Sequence, residues 1–466
     1  MKENQIIEQI RSLTPEQIDY MTADIKYTDA DNGAYFAQEH AHDVRFVVET
    51  GKWIVFDGKR WIIDSSGKIA LLQGERTMRQ RYGEEANAPV LDKDNVKKAL
   101  TTMGRTRIEN ALALAAGRMA ISYYALNTAP WLLNVKNGTV NLRTGEMKRH
   151  DPADFITHVV PFEFKPEARC PRFVRFLREI LPDVDLRYIQ RWFGYAATGE
   201  DQEKKFQVWK GELGNNGKST LKNVILHVLG DYAIEVNVNV FIGKTRDYKG
   251  DDLVGLRHKR IVFAAEPDDG VVLNAARIKS ITGMDKIRCR PLKSNEWIEY
   301  EPAYKPVILT NHELGVYDTT DAFWGRMDLI QFDQVFRGRT DDKSLKNILK
   351  AEAEGILSWI IEGAIEWYAH GLNTVKTVTD ETSAYRQRQD SFGQFLNWYE
   401  KSNEAPKVRW PVLSSFLRTL YTSWTVREGR EALGQRRFTE EMERRGYSRT
   451  HKEDGAKWER LTTDDC

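Results

Sequence analysis

Between Phe206 and Leu229 the hydrophobic pattern changes period. Phe206 to Trp209 is a short continuous apolar run, as in a buried strand. A glycine-rich turn follows. Apolar residues then recur at helical spacing, at Leu221, Val224, Ile225, Val228 and Leu229, with Gly230 at the expected helix cap. The same two patterns organise the rest of the chain. Residues 1–30 predict a leading helix and a polar linker. Residues 34–64 alternate, and FVVETGKWIVFDGKRWIID predicts a hairpin with turns at Gly51 and Gly58; its Trp53 and Trp61 read as core. Residues 70–126 predict helices. Leu132–Val135 and Thr139–Leu142 predict strands around Asn137-Gly138, with a second turn at Thr144-Gly145. Amphipathic helices over 171–181 and 185–199 lead into the Phe206 strand.

Beyond Gly230, residues 234–246 predict a strand and loop, and Ile261–Ala265 a buried parallel strand. A helix carrying Lys279 ends near Gly283. Strands over Lys286–Leu292 and Glu296–Glu301 make a hairpin with Lys293-Ser294-Asn295 between them. Val307–Leu309 is a further strand, and another follows Arg326. Residues 341–371 predict helices, and His370–Tyr385 a polar connector. The C-terminal stretch predicts short helices, then two strands around Asp454-Gly455.

Composition narrows the class. A chain of 466 residues predicts about three domains. Lys and Arg number 69 against 68 Asp and Glu, so any basic surface is local. Cys170, Cys289 and Cys466 lie far apart, which supports neither a zinc site nor a disulfide framework and suggests reduced thiols in a cytoplasmic protein. The N-terminus has no signal-peptide core, and no uncharged run approaches the ~20 residues of a membrane span.

The turn after Phe206–Trp209 carries the chemistry. Strand, glycine turn, Gly217-Lys218-Ser219-Thr220 and helix describe a phosphate-binding P-loop, formed by Gly214, Asn215, Asn216, Gly217, Lys218, Ser219 and Thr220. Glycines let backbone N–H groups converge on phosphate oxygens, and the helix N-terminus adds a favourable dipole. Lys218 would reach the β- and γ-phosphates of ATP, and Ser219 would hold Mg²⁺. The strict pattern places glycine five residues before Gly217; that position is Glu212, flanked by Gly211 and Gly214.

Other candidates follow in order. Glu266, after the Ile261–Ala265 strand, suits an Mg²⁺-coordinating or water-polarising acid, with Asp268 and Asp269 as weaker candidates. Arg288, Arg290 and Lys293 suit contact with a phosphate backbone, though taken alone they fit better a sheet edge protected by charge. Asn311 would stand at the carboxyl end of its strand beside the γ-phosphate. Arg326 would stabilise transferring charge from a neighbouring subunit, or pair with Asp321 or Asp328. The C-terminal helices and strand pair suit either a winged helix or a helical cap; the region is locally basic through Arg427, Arg430, Arg436, Arg437, Arg444, Arg445 and Arg449.

The ordered segments GNNGKST, RIVFAAE, IKSITGMDKIRCRPLK, PVILTNHE and FWGRMDLIQF resemble the superfamily 3 helicase domain of phage and plasmid primase-helicases, relatives of the poxvirus nucleoside triphosphatase-primase. LLNVKNGTVNLRTGE resembles the small domain preceding it, and the resemblance covers roughly residues 30–335. It implies an α/β fold with an AAA+-type core, preceded by a small α+β domain and followed by a winged helix, divided as 1–165, 166–372 and 373–466. It implies a ring, usually hexameric, around DNA, with ATP between subunits. By position, Lys218 and Ser219 resemble the Walker A pair, Glu266 the Walker B acid, Asn311 the sensor, Arg326 the arginine finger and Lys293 the tip of a DNA-tracking hairpin. Glu212 and Gly325 depart from the family, the latter where a second arginine is common. The chain starts almost at the pre-helicase domain, which implies a fragment or a separate primase.

The expected function is an ATP-dependent DNA helicase or translocase, acting on single-stranded or forked DNA in phage, plasmid or prophage replication. It would work in a bacterial host's cytoplasm, beside a separate primase or polymerase. The alternatives are a replication initiator without processive unwinding and a small-molecule P-loop kinase.

Overall fold

The computed structural model describes residues 26–242, 253–265, 271–290, 297–337, 344–402, 405–406, 410–430, 432–452 and 455–460. Near the N-terminus, α1 (Asp29–Glu39) precedes β1 (Val44–Val47), β2 (Lys52–Phe56) and β3 (Trp61–Asp64). Helices α2 (Lys68–Ala86), α3 (Lys93–Thr101) and α4 (Arg105–Arg118) follow, then the short β4 (Ala120–Ile121). The sheet order is β3-β2-β1-β4. Trp61 is buried, and Trp53 packs partly buried against a small core. Two expectations change here. The alternation read from residue 34 begins inside α1, whose N-cap Thr28 accepts from the Asp31 N–H. The helical stretch ends before β4, which pairs parallel to β1. The expected meander is present as β5 (Leu132–Val135), β6 (Gly138–Asn141) and β7 (Met147–Lys148), but its first turn is Lys136-Asn137 rather than Asn137-Gly138, because Gly138 pairs with Val135 in the ladder.

Helices α5 (Pro171–Ile180) and α6 (Leu186–Ala197) lead into the central sheet. It contains β8 (Phe206–Lys210), β9 (Ala233–Asn237), β10 (Ile261–Ala265), β13 (Lys305–Thr310) and β14 (Met327–Gln331). Helices α7 (Lys218–Leu229) and α8 (Ala275–Ile281) and the hairpin β11 (Ile287–Cys289) and β12 (Ile298–Tyr300) lie between them. The order is β14-β8-β13-β10-β9, parallel throughout. Both faces are buried, as continuous apolar strands require. Trp209, Ile261, Phe263, Val307, Leu309 and Ile330 join one core, and Phe206, Val208, Val262, Ala264, Ile308 and Leu329 the other.

Helices α9 (Leu345–Ala351) and α10 (Ala353–His370) follow β14. Backbone meets backbone where α6 crosses α10: a Cβ on Gly194 would lie 2.0 Å from the Ala364 nitrogen, and one on Gly363 2.1 Å from the Gln190 oxygen. The C-terminal end of α6 also receives two buried cations. Arg260 donates to the Ala197 and Leu132 carbonyls (both 2.6 Å), and Lys305 to those of Thr198 (2.8 Å) and Ala303 (3.0 Å). Burial holds the Lys305 ammonium well below its ordinary pKa, and the carbonyl oxygens partly offset that cost.

The polar stretch read as a connector is largely helical, as α11 (Lys376–Gln389). Val378, Thr382 and Tyr385 are buried at helical spacing. A polar residue in the middle of this stripe hides the periodicity, yet it has a partner: Thr382 Oγ1 accepts the N–H of Leu329 in edge strand β14 (3.0 Å). Helix α12 (Ser391–Lys401), β15 (Val412–Leu413), α13 (Ser414–Arg427), α14 (Gln435–Arg444), β16 (Tyr447–Lys452) and β17 (Gly455–Arg460) complete the chain around their own core. Among the described residues, no helix is long and apolar enough to cross a membrane.

Thr382→Val would leave the Leu329 N–H buried without a partner. We expect a loss of about 1–3 kcal/mol, read as a lower urea midpoint at unchanged m-value.

Candidate functional site

Residues 211–217 join β8 to α7, and their backbone explains which glycines are needed. Gly217 has φ +87°, and a Cβ there would lie 2.5 Å from Ile180 Cγ2. A Cβ on Gly211 would lie 2.3 Å from Asn216 Nδ2 and 2.9 Å from Lys218 Nζ. Asn215 also adopts positive φ, +60°, and its carbonyl accepts the Phe336 N–H (2.9 Å). Glu212 is not among the positive-φ residues, and its side chain is 77% exposed, reaching Lys210 Nζ at 3.3 Å. The glycine missing at 212 is therefore not required by this loop; the close approach falls on Gly211.

The Asn216 amide, buried, donates to the Leu213 carbonyl (2.6 Å) and braces the turn. Gly217 caps α7 without a side chain of its own, and the Asn216 Oδ1 accepts the Lys218 N–H only at the long distance of 3.5 Å. Ser219 is exposed and Thr220 half-buried on the first turn. Lys218 is buried, and its Nζ donates to the Gly211 carbonyl and to Asn311 Oδ1, each at 2.9 Å. Parallel register explains this meeting: Thr310 lies beside Lys210, so Asn311 leaves β13 level with the loop.

β10 ends on the same edge, Ala265 beside Leu309. Glu266, Asp268 and Asp269 follow it and lie outside the described residues, as does Lys293. Lys210 also meets Glu313 at 3.1 Å, and Glu313 meets Arg388 of α11 at 2.7 Å. This ionic chain links loop to helix and has no counterpart among the sequence expectations; Glu313 follows Asn311 closely in sequence, but nothing local marks Arg388.

Arg326 lies elsewhere. It precedes β14, whose five residues separate it by roughly 16 Å from the loop edge. Neither expected aspartate holds it. Asp321 pairs with Arg386, and Asp328 with Lys205 and Tyr188. Arg326 instead donates to the Ala322 and Lys279 carbonyls and to Thr282 Oγ1, at the end of α8. Arg288 and Arg290 stand exposed on the β11 side of the hairpin. Some C-terminal arginines pair with carboxylates of the same unit: Arg445 with Asp390 and Glu441, Arg444 with Glu441, and the exposed Arg436 with Glu440 one helical turn on. A cavity of about 790 Å³ opens at the opposite sheet edge from the glycine loop, between Tyr124–Leu132 and the hairpin base.

Residues 33–182 match the family described as D5 N terminal like. A candidate helicase, L207/L206 of Acanthamoeba polyphaga mimivirus, is 25% identical over 395 residues, covering 76% of this chain and 41% of the relative. The candidate primase C962R of African swine fever virus is 24% identical over 327 residues, covering 64% and 34%. The C-terminal region of NrS-1 superposes with a TM-score of 0.54 at 10% identity, covering 92% of this chain and all of that structure, which is likeness of fold. Residues 33–182 thus resemble D5-like proteins, and the longer relatives are named as a helicase and a primase.

The chain spans about two fifths of the mimivirus relative and a third of the African swine fever virus one. The D5-like match ends within the helix α5–α6 region that packs beneath the glycine loop: Phe176 and Ile180 face Gly217. A Cβ on Gly214, by contrast, would meet nothing within 4 Å. Gly217→Ala should cost about 2–5 kcal/mol, from left-handed strain plus overpacking, and Gly214→Ala should be nearly neutral. Paired thermal or urea unfolding curves check both.

Proposed function

We propose that this chain is an ATP-driven DNA motor, a superfamily 3, AAA+-type helicase or translocase working as a ring, with six subunits the expected number, in replication of a viral or mobile genome. The reading is carried by one observation: Lys218 is drawn to Asn311 at the carboxyl edge of a parallel sheet, beside the N-terminus of α7. These features fit a nucleoside triphosphate and Mg²⁺. The backbone N–H groups of Asn215 to Thr220 would receive phosphate oxygens. Ser219 and Glu266 would hold the ion, which supplies charge neutralisation when bound. Lys218 Nζ, which donates to the Gly211 carbonyl and Asn311 Oδ1, would turn to the phosphates when a nucleotide binds. Asn311 would orient the attacking water.

Arg326, on the far edge from its own loop, suits a finger acting on a neighbour's nucleotide. Its bonds to the end of α8 would have to yield as it engages. The hairpin bearing Arg288, Arg290 and Lys293 would contact DNA within the ring. The C-terminal order of helix, strand, two helices and two strands suits a winged helix. That unit favours a second reading, an origin-recognising initiator in which hydrolysis switches assembly. Sequence-specific footprinting without unwinding of forked DNA would support it over the helicase.

Lys218→Ala should reduce ATP hydrolysis to background while unfolding stays cooperative, at a midpoint lowered by the lost bonds to Gly211 and Asn311; retained turnover refutes the nucleotide assignment. Arg326→Ala should lower the rate by about 10³–10⁵. Titrated into wild-type protein, it should depress activity more than its share of subunits, whereas proportional loss refutes action in trans.

A further inference from the structure

The hairpin sorts its side chains by the two-residue period of a strand. Ile287, Cys289 and Tyr300 are buried and Ile298 half-buried, all packed on the core. Lys286, Arg288 and Arg290 alternate with them and are exposed, as are Trp297 and Glu299 on the other arm. Cys289 pairs with Ile298 and Arg288 with Glu299, which puts Trp297 across from Arg290. The guanidinium carbons of Arg288 and Arg290 lie 4.6 and 5.5 Å from the centre of the Trp297 ring. Trp297 is nevertheless 51% exposed.

Edge protection accounts for the cations but not for the indole, because a half-exposed tryptophan invites association. Three cations at about 6.6 Å spacing make a track for phosphates. Beside them the indole offers a flat π surface, which suits any base whose face is free. In a duplex those faces are covered by neighbouring base pairs. Glu299, 3.7 Å from Arg288, draws off part of one cation, which leaves stacking a larger share of the contact. We propose that Trp297, flanked by Arg288 and Arg290, is a stacking platform for the bases of single-stranded nucleic acid and gives the hairpin its preference for single over double strands.

This rests on the DNA role proposed above, and the test separates the two. The full chain is titrated against fluorescent oligothymidylate, an abasic strand of equal length and a duplex, with fluorescence anisotropy as the readout. Trp297→Ala should weaken oligothymidylate binding roughly 5- to 150-fold and leave the abasic strand and duplex unchanged. Trp297→Phe should restore most of the loss, which also excludes misfolding as its cause. Equal losses on thymidylate and abasic strands, or no loss, overturn the inference alone. Failure of the wild-type chain to bind any of the three overturns the DNA role and this inference with it.

Discussion

Parallel strands all point the same way, and that polarity decides what this chain can bring together. Because β8, β13 and β10 run side by side, the glycine loop, Asn311 and the end of β10 emerge on one edge. Everything that enters a strand lies on the other: Arg326 before β14, Arg260 before β10, Lys305 at the start of β13. A residue separated from Lys218 by 93 positions reaches it at 2.9 Å, while Arg326, on a strand of the same sheet, stays a strand's length away. The two-sided burial of the sheet makes this arrangement stiff, since a one-residue slip of any strand would turn an apolar set from one core to the other.

Much of this was legible in the sequence because the signals were periodic. The continuous apolar strands and the helix from Lys218 to Leu229 with Gly230 at its end are local patterns, and each stands where the pattern put it; the Asn137-Gly138 signal marked the hairpin, with its turn one residue earlier. Asn311 was legible through strand polarity. What stayed hidden depends on partners distant in sequence. The helical stripe of α11 includes Thr382, which reads as polar until the Leu329 N–H supplies its partner. The Arg326 contacts are with carbonyls and a hydroxyl, groups that leave no charge pattern, so the alternative pairing with Asp321 or Asp328 is not the one that forms. Glu212 looked anomalous only because a motif counts positions, whereas the backbone needs its glycine where Asn216 and Lys218 crowd it, at Gly211.

The two edges of the sheet are joined through side chains as well as strands. Lys210, Glu313 and Arg388 tie the loop edge to α11, and α11 runs back along β14. Arg326 ties the start of β14 to the end of α8, from which the chain proceeds to the hairpin. A change at either edge thus has a short covalent and hydrogen-bonded route to the other, without passing through the apolar layers.

Thr382 has one more consequence. Edge strand β14 would otherwise present a free backbone donor at Leu329, a template on which a stray strand from another molecule could add. With that donor taken and α11 laid alongside, the sheet is closed to growth at this end. Crowding many copies of the chain together then carries less risk of amyloid-like stacking through β14, and copies that meet at this edge do so through side chains rather than by extending one another's sheets.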